Sequence, residues 1–237
     1  MLTIKTTHLS SRVPLHTLNA LDEYAEAIIQ DFMPERLHSP GPLDVTCFTE
    51  QYLCLRMDFC RICDYLSHEI LALTAFRDAV VQVIGNKTNN LESLAVKKGT
   101  VLIHTSLADA AKETRRRFTV AHEGAHWLIH RGAFEVDKPS SSTDINRLER
   151  QANYLAAAIL MPRTALRVSF KDFFSFYSDT PRRIIRGASP ISDCYATQLP
   201  QYIASIFNVS SQAAKIRLEM LNAIVDMRWR REPLFYI

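Results

Sequence analysis

The sequence is poor in glycine and has neither a long apolar run nor a regular set of cysteines. Only six of its 237 residues are glycine, which disfavours a fold with many glycine-dependent turns and favours helix. Because no stretch of 18 or more apolar residues occurs, no membrane-spanning helix is expected. Residues 1–5 lack the apolar core of a secretion signal, so we expect the protein to stay in the cytoplasm.

The five cysteines are an odd number and are unevenly spaced, unlike a disulfide framework. They are Cys47, Cys54, Cys60, Cys63 and Cys194. Reduced thiols are therefore expected. Cys60 and Cys63 form a Cys-x-x-Cys pair that could serve a second metal site or a redox function. No matching second pair exists, so ordinary reduced cysteines are favoured.

Composition and hydrophobic spacing are those of a helix-rich globular protein. Apolar residues make up 47% of the chain and charged residues 22%, and the net charge of +3 neither demands nor excludes a nucleic-acid partner. Hydrophobic spacing predicts several helices and two strands that could pair as antiparallel neighbours. The predicted helices cover about 17–33, 45–53, 114–130, 145–161, 199–208 and 210–225, and the third of them could begin as early as 106. The predicted strands cover 79–84 and 100–104. Gly132 is expected to end the third helix, and an irregular aromatic segment is expected after Pro162.

Residues 122–126 read His-Glu-Gly-Ala-His within a predicted helix. Because residues four apart lie on one helix face, His122 and His126 can direct ring nitrogens at a single metal ion. Glu123 is offset by one residue, where it can hold a water rather than the ion, as in the H-E-x-x-H motif. The apolar residues around the motif indicate a buried helix, whose polar groups need partners that a metal would supply. The alternative is a surface helix with two solvated histidines.

A catalytic zinc site needs a third protein ligand and an open position for water. His130 lies about 12 Å along a regular helix from His122, too far to bind the same ion. Glu149 on the next predicted helix is a better candidate. Asn153, one turn later, could accept a hydrogen bond from the spare N–H of a ligand histidine. Spacing alone leaves open that Glu149 is a solvated residue on an amphipathic helix.

Two segments, 116–130 and 149–162, resemble the signature helices of the ImmA/IrrE family of metallopeptidases, and the second ends in that family's Leu-Met-Pro. The resemblance is sharp over 100–162 and looser over 199–224. It implies an α+β fold: a zincin-like metallopeptidase domain with a small mixed sheet and the H-E-x-x-H helix. We expect this domain, with its leading helix, to cover 1–165 and a short helical C-terminal extension packing on it to cover 166–237.

By this resemblance His122, His126 and Glu149 are the zinc ligands and Glu123 is the catalytic base. Where the family usually has a bulky residue and then glycine after the glutamate, this chain has Gly124-Ala125. The ligands are unaffected by that departure, although helix packing could differ. Two histidines and one carboxylate also suit Mn²⁺ or another divalent ion.

The family typically cleaves DNA-binding repressors of the helix-turn-helix class. The resemblance therefore implies a zinc-dependent endopeptidase acting on such a repressor, or on an antitoxin-like regulator, of a mobile element or a stress response. Alternatives are a DNA-associated regulator and a zinc-stabilised protein that captures the repressor without cutting it. Residues 202–221 have a helix-turn-helix cadence with Lys215 and Arg217 on the second helix. Apolar residues there indicate packing, so direct DNA binding is not favoured.

Three further expectations concern substrate contacts. Tyr154, His104 and His130 are candidates for stabilising the oxyanion. The strand at 100–104 is expected at an edge of the sheet, where it could hold an extended peptide. The three arginines at 115–117 indicate a solvated helix face with one of them pairing an acid, or a contact with an acidic segment of a substrate.

Overall fold

The computed structural model describes residues 15–63, 70–85, 88–136, 141–177 and 180–228. Helix α1 (Leu18–Phe32) comes first, and the Thr17 hydroxyl caps its N-terminus, as a threonine before an apolar-periodic segment is expected to do. A short helix α2 (Val45–Cys47) continues as a π-helical turn to Tyr52, where the second helix was predicted. Both elements contribute buried side chains to the main hydrophobic core.

A five-stranded mixed sheet supports the rest of the domain. Its strands are β1 (Arg56–Ile62), β2 (Ala72–Thr74), β3 (Ala79–Ile84), β4 (Leu91–Val96) and β5 (Thr100–His104). They lie in the order β2-β5-β1-β3-β4. Strands β1 and β5 are parallel, and the other neighbouring pairs are antiparallel. The strands predicted at 79–84 and 100–104 are confirmed.

The predicted pairing of β3 with β5 is wrong, because β1 lies between them. Strand β3 instead forms a hairpin with β4, in a register that runs from Ala79 opposite Val96 to Ile84 opposite Leu91. Only Val96 of β4 is buried, so this strand lacks the apolar alternation that predicts a strand from sequence. The neighbours of a strand depend on contacts between distant segments, which periodicity does not encode.

The two predicted active-site helices are α3 (Glu113–Val136) and α4 (Ser142–Leu160), and they pack against each other. The prediction that Gly132 ends α3 is wrong, because the helix continues to Val136. A Cβ atom placed on Gly132 would meet nothing within 4 Å, so the glycine is tolerated at an exposed helical position. The Ser141 hydroxyl caps α4 by accepting a hydrogen bond from the Asp144 N–H.

The segment after Pro162 is helical, which corrects the expectation of irregular chain. Pro162 precedes the first turn of helix α5 (Arg163–Phe174), where its missing N–H costs nothing. The aromatic residues of α5 pack together, with the rings of Phe173 and Phe174 4.9 Å apart. Helices α6 (Pro190–Phe207) and α7 (Ser211–Met220) follow.

A small parallel sheet, which the sequence pattern did not predict, ties the C-terminal elements together. It joins β6 (Ile184–Arg186) to β7 (Ile224–Asp226). One hydrophobic cluster contains buried residues from Leu21 to Ile224. The proposed boundary between 165 and 166 falls inside α5. The division into a domain and an extension stays a prediction.

A buried ion pair joins the first and last helices. The Arg217 side chain is fully buried, and its Nη2 lies 2.5 Å from Oδ1 of Asp22. The Tyr154 hydroxyl donates to the other Asp22 oxygen at 2.7 Å. Arg217 is therefore a packing residue and cannot read DNA, as a helix-turn-helix function would have required.

Two of the three arginines ahead of the metal motif also have internal partners. Arg117 is buried and donates to the carbonyl of Asn208, near the end of α6, at 2.9 Å. Arg116 donates to the carbonyl of Leu107 at 3.0 Å. Arg116 and Arg117 therefore bind carbonyl oxygens at the ends of a 3-10 turn and of α6. Arg115 is exposed, and its contact with an acidic segment of a substrate stays a prediction.

The five cysteines are free in the structure, as expected. Among the described residues, no helix combines the length and apolar character that crossing a bilayer requires.

Candidate metal centre

Three of the predicted site residues converge where α3 faces α4. His122 and His126 lie one turn apart on α3, and their Nε2 atoms are 3.0 Å apart. The Glu149 carboxylate on α4 lies 3.2 Å from His122 Nε2 and 3.4 Å from His126 Nε2. One ligand atom from each side chain lies within 4.8 Å of the others.

This donor set fits a divalent metal. Two imidazole nitrogens and one carboxylate oxygen that face one point suit zinc and several related ions. The Glu149 side chain is 49% exposed, whereas that of His126 is 7% exposed, so the cluster is enclosed on the helix side and open on the other. The cluster could therefore hold a metal ion with a free position towards solvent.

Without a metal, the same groups share protons. Hydrogen bonds from His122 and His126 hold the pKa of Glu149 well below its usual range. Burial lowers the pKa of His122, but its hydrogen bond to Glu149 and the charges of Glu123 and Glu149 outweigh burial and raise it. A proton on His122 and a metal ion therefore compete for the same nitrogen.

Asn153 orients one of the ligand rings. Its Oδ1 lies 3.0 Å from His122 Nδ1, on the opposite side of the ring from Nε2. This contact was predicted from the one-turn spacing of Glu149 and Asn153. If Nε2 of His122 binds a metal, Nδ1 keeps its proton and donates it to the amide oxygen, which holds the ring in that orientation.

Glu123 is held by a residue that sequence reasoning missed. The Thr74 hydroxyl on β2 donates to Glu123 Oε2 at 2.6 Å. Glu123 and Thr74 both line the cleft beside the three clustered side chains. Nothing in the local sequence around Thr74 marks it, because the contact joins residues 49 positions apart.

His130 lies behind the cluster. It is fully buried, with Nδ1 3.0 Å from His126 Nδ1 and Nε2 2.9 Å from Gln151 Oε1. Burial lowers the pKa of His130 to about 3. The conclusion from spacing that His130 cannot share an ion with His122 agrees with this position.

None of the three predicted oxyanion stabilisers is among the residues that line the cleft. Tyr154 is buried and its hydroxyl donates to Asp22. His104 Nδ1 lies 2.8 Å from the Ser106 hydroxyl and caps a 3-10 turn. His130 is enclosed between α3 and α4. These three assignments are wrong, because each side chain is committed elsewhere.

The cleft has a volume of about 690 Å³ and is mostly apolar. One side is formed by residues 70–77, which include β2, the strand at this edge of the sheet. The expectation that β5 is the edge strand is wrong, since β5 pairs with both β1 and β2. The segment next to the clustered side chains is therefore β2, which pairs on one side with β5 within the described chain.

An aromatic stack lies beside the cleft, and two of its members, Phe76 and Phe134, line it. The Phe76 ring stacks on Phe134, with centroids 4.6 Å apart and planes 13° apart, and it also stacks on Trp127 at 5.9 Å. Phe134 in turn meets the His126 ring edge-on at 6.1 Å. The stack joins the segment after β2 to α3 and places an apolar surface directly beside His126.

Comparison with known proteins agrees with this site. The family model Peptidase_M78, described as the IrrE N-terminal-like domain, matches residues 89–219, which is more than half of the chain. The matched region contains α3, α4 and all four of His122, Glu123, His126 and Glu149. A search of the curated proteins found no significant match.

Proposed function

The chain belongs to the Peptidase_M78 family of IrrE N-terminal-like domains, and on this basis we propose that it is a zinc-dependent endopeptidase. Family membership supports a metallopeptidase-like function. The observation that carries the proposal is the convergence of His122, His126 and Glu149 in an open cleft, with Glu123 beside them.

In this proposal, His122 and His126 bind zinc through Nε2 and Glu149 binds it through a carboxylate oxygen. When bound there, a zinc ion would polarise the scissile carbonyl and lower the pKa of a water. Glu149 is half exposed and lines the cleft, so water and substrate would reach a metal held by these three side chains. Mn²⁺ or another divalent ion remains compatible with these donors.

Glu123 acts as the general base. Its carboxylate accepts a proton from the water whose oxygen attacks the carbonyl carbon, and it returns the proton to the amine nitrogen as the C–N bond breaks. The hydrogen bond from Thr74 fixes one carboxylate oxygen. Because that oxygen is fixed, the Glu123 carboxylate rotates less and its other oxygen keeps one orientation.

The substrate lies along β2 as an extended strand. A peptide added to this edge would gain main-chain hydrogen bonds, and the apolar lining of the cleft would favour apolar side chains next to the cut. We propose a helix-turn-helix repressor or an antitoxin-like regulator in the cytoplasm as the substrate. The support is the resemblance of residues 116–130 and 149–162 to ImmA/IrrE peptidases.

A DNA-associated or purely repressor-binding role has weaker support. Helices α6 and α7 are joined by a tight turn with Asn208 in the left-handed conformation, as in a helix-turn-helix. However, Arg217 is buried and Lys215 pairs with Glu219 at 3.6 Å, so the basic residues of α7 have internal partners.

The test is cleavage of helix-turn-helix regulators encoded next to this protein's gene. Each purified regulator is incubated with the zinc-loaded chain, and new N-termini are identified by mass spectrometry. Glu123→Gln should keep zinc and lose cleavage, because the amide accepts no proton. Glu50→Gln, an exposed glutamate outside the cleft, is the matched control and should cleave normally. Cleavage by Glu123→Gln at the unsubstituted rate would refute the role of the base.

A further inference from the structure

His130 is a buried histidine that the proposed peptidase chemistry does not use. It lies one turn beyond His126 on α3 and is fully buried. Both of its ring nitrogens have partners: Nδ1 lies 3.0 Å from His126 Nδ1, and Nε2 lies 2.9 Å from Gln151 Oε1. A buried imidazole with two defined contacts has a specific protonation pattern, which the partners determine.

We propose that His130 and Gln151 form a relay that fixes the tautomer and orientation of His126 for metal binding. The proposal rests on the metal site of the proposed function but not on catalysis. It makes His130 a positioning residue that acts through His126.

The direction of each hydrogen bond follows from the geometry. His126 faces the clustered ligand atoms with Nε2, so this nitrogen must be free of a proton to bind a metal. Its single proton is then on Nδ1, which donates to His130 Nδ1. His130 Nδ1 is therefore the acceptor, and its own proton is on Nε2.

The last member of the relay agrees with this assignment. With the proton of His130 on Nε2, that nitrogen donates to Gln151 Oε1, which as an amide oxygen is an acceptor. The opposite tautomer would place two N–H groups against each other between His126 and His130, and a bare nitrogen against an amide oxygen. With Nε2 of His126 free for a metal and the Gln151 oxygen facing His130, this arrangement of protons satisfies all three side chains.

The two ligand histidines are thus held in the same way from α4. Asn153 faces His122 Nδ1 directly, whereas Gln151 reaches His126 through the His130 ring. Losing such an outer contact typically weakens metal affinity by about 10- to 100-fold. The relay explains why a polar ring is buried where an apolar residue would pack at lower desolvation cost.

Zinc affinity measured by competition with a chromogenic chelator tests the relay. His130→Leu removes the acceptor and should weaken zinc binding by about 10- to 100-fold. His130→Asn keeps an oxygen that can accept from His126 Nδ1, and it should restore most of that loss. Gln151→Leu removes the far end of the relay and should also weaken zinc binding. Its control is Gln198→Leu, because Gln198 is an exposed glutamine of α6.

Equal affinity in the unsubstituted chain and in His130→Leu would overturn the relay. So would an equal loss in His130→Leu and His130→Asn, because a purely structural role would not distinguish an acceptor from a methyl group. Failure of the chain itself to bind zinc would overturn the metal site together with the relay. Zinc binding without cleavage would count against the proposed enzyme only. The zinc affinities of the variants would still decide whether the relay exists.

A second measurement needs no stable variant. In the zinc-loaded chain labelled with ¹⁵N-histidine, long-range proton–nitrogen correlation spectra report which ring nitrogen holds the proton. We expect His126 to be protonated at Nδ1 and His130 at Nε2. A proton on Nδ1 of His130 would overturn the proposal.

Discussion

Breaking the ion pair between Arg217 and Asp22 is expected to destabilise the fold strongly, and this can be tested without knowing the substrate. Its two side chains are 0% and 4% exposed, with Nη2 and Oδ1 2.5 Å apart. The guanidinium also lies 5.1 Å from the centroid of the Tyr154 ring. The pair connects residues 195 positions apart and so joins α7 to α1.

Replacing Arg217 with methionine keeps much of the side-chain volume but leaves the Asp22 carboxylate buried without its cation. Removing one partner of a buried pair costs about 3–5 kcal/mol. A domain of this size typically has about 5–15 kcal/mol of stability in all. The midpoint of thermal unfolding should therefore fall by roughly 6–20 °C.

The assay is thermal and urea unfolding of the zinc-free chain, each followed by circular dichroism. Lys215→Met on the same helix is the matched control, because its ion pair with Glu219 is partly exposed and should contribute no more than about 0.5 kcal/mol. Asp22→Asn combined with Arg217→Met should cost less than the sum of the single changes, because no charge is then left unpaired. If Arg217→Met destabilises no more than Lys215→Met, the buried-pair argument fails.

Three further predictions concern the site. Glu149→Ala should weaken zinc binding by more than ~100-fold, which is the most that losing a residue behind a ligand typically costs. Zinc per chain is measured after dialysis, and an unchanged stoichiometry would eliminate Glu149 as a ligand. Thr74→Val should lower kcat by about 10- to 100-fold with zinc content unchanged, because a hydrogen bond to a charged group is worth about 1.5–3 kcal/mol. The control is Thr119→Val, which changes another threonine of the cleft and should leave kcat unchanged. In the zinc-free chain, the lowered pKa of Glu149 adds stability above its ordinary value of 4.5 that is lost as pH falls through the lowered pKa. The raised pKa of His122 adds stability below pH 6.5 that is lost as pH rises through the raised pKa. The joint contribution of Glu149 and His122 to stability should therefore be largest between pH 4.5 and 6.5. Thermal melts across pH should show this maximum, and Glu149→Gln should remove it.

Helices and the metal motif were accessible from sequence because their geometry is local. A four-residue spacing places His122 and His126 on one face of any regular helix, and the same rule places Asn153 one turn from Glu149. Strand β4 was missed because its side chains are mostly exposed, and α5 was missed because proline and a run of aromatic residues were interpreted as breaks.

By itself, then, the amino-acid sequence determined the two signature helices and the family resemblance. Spacing within one helix placed His122, Glu123 and His126 in one motif, and the resemblance supplied Glu149 as the third ligand. Only the tertiary structure decided that Thr74 holds Glu123, that His130 and Gln151 lie behind His126, and that β2 rather than β5 forms the edge of the cleft. The physical reason is that these contacts join distant segments. Packing of the whole chain, and not local periodicity, determines which segments meet.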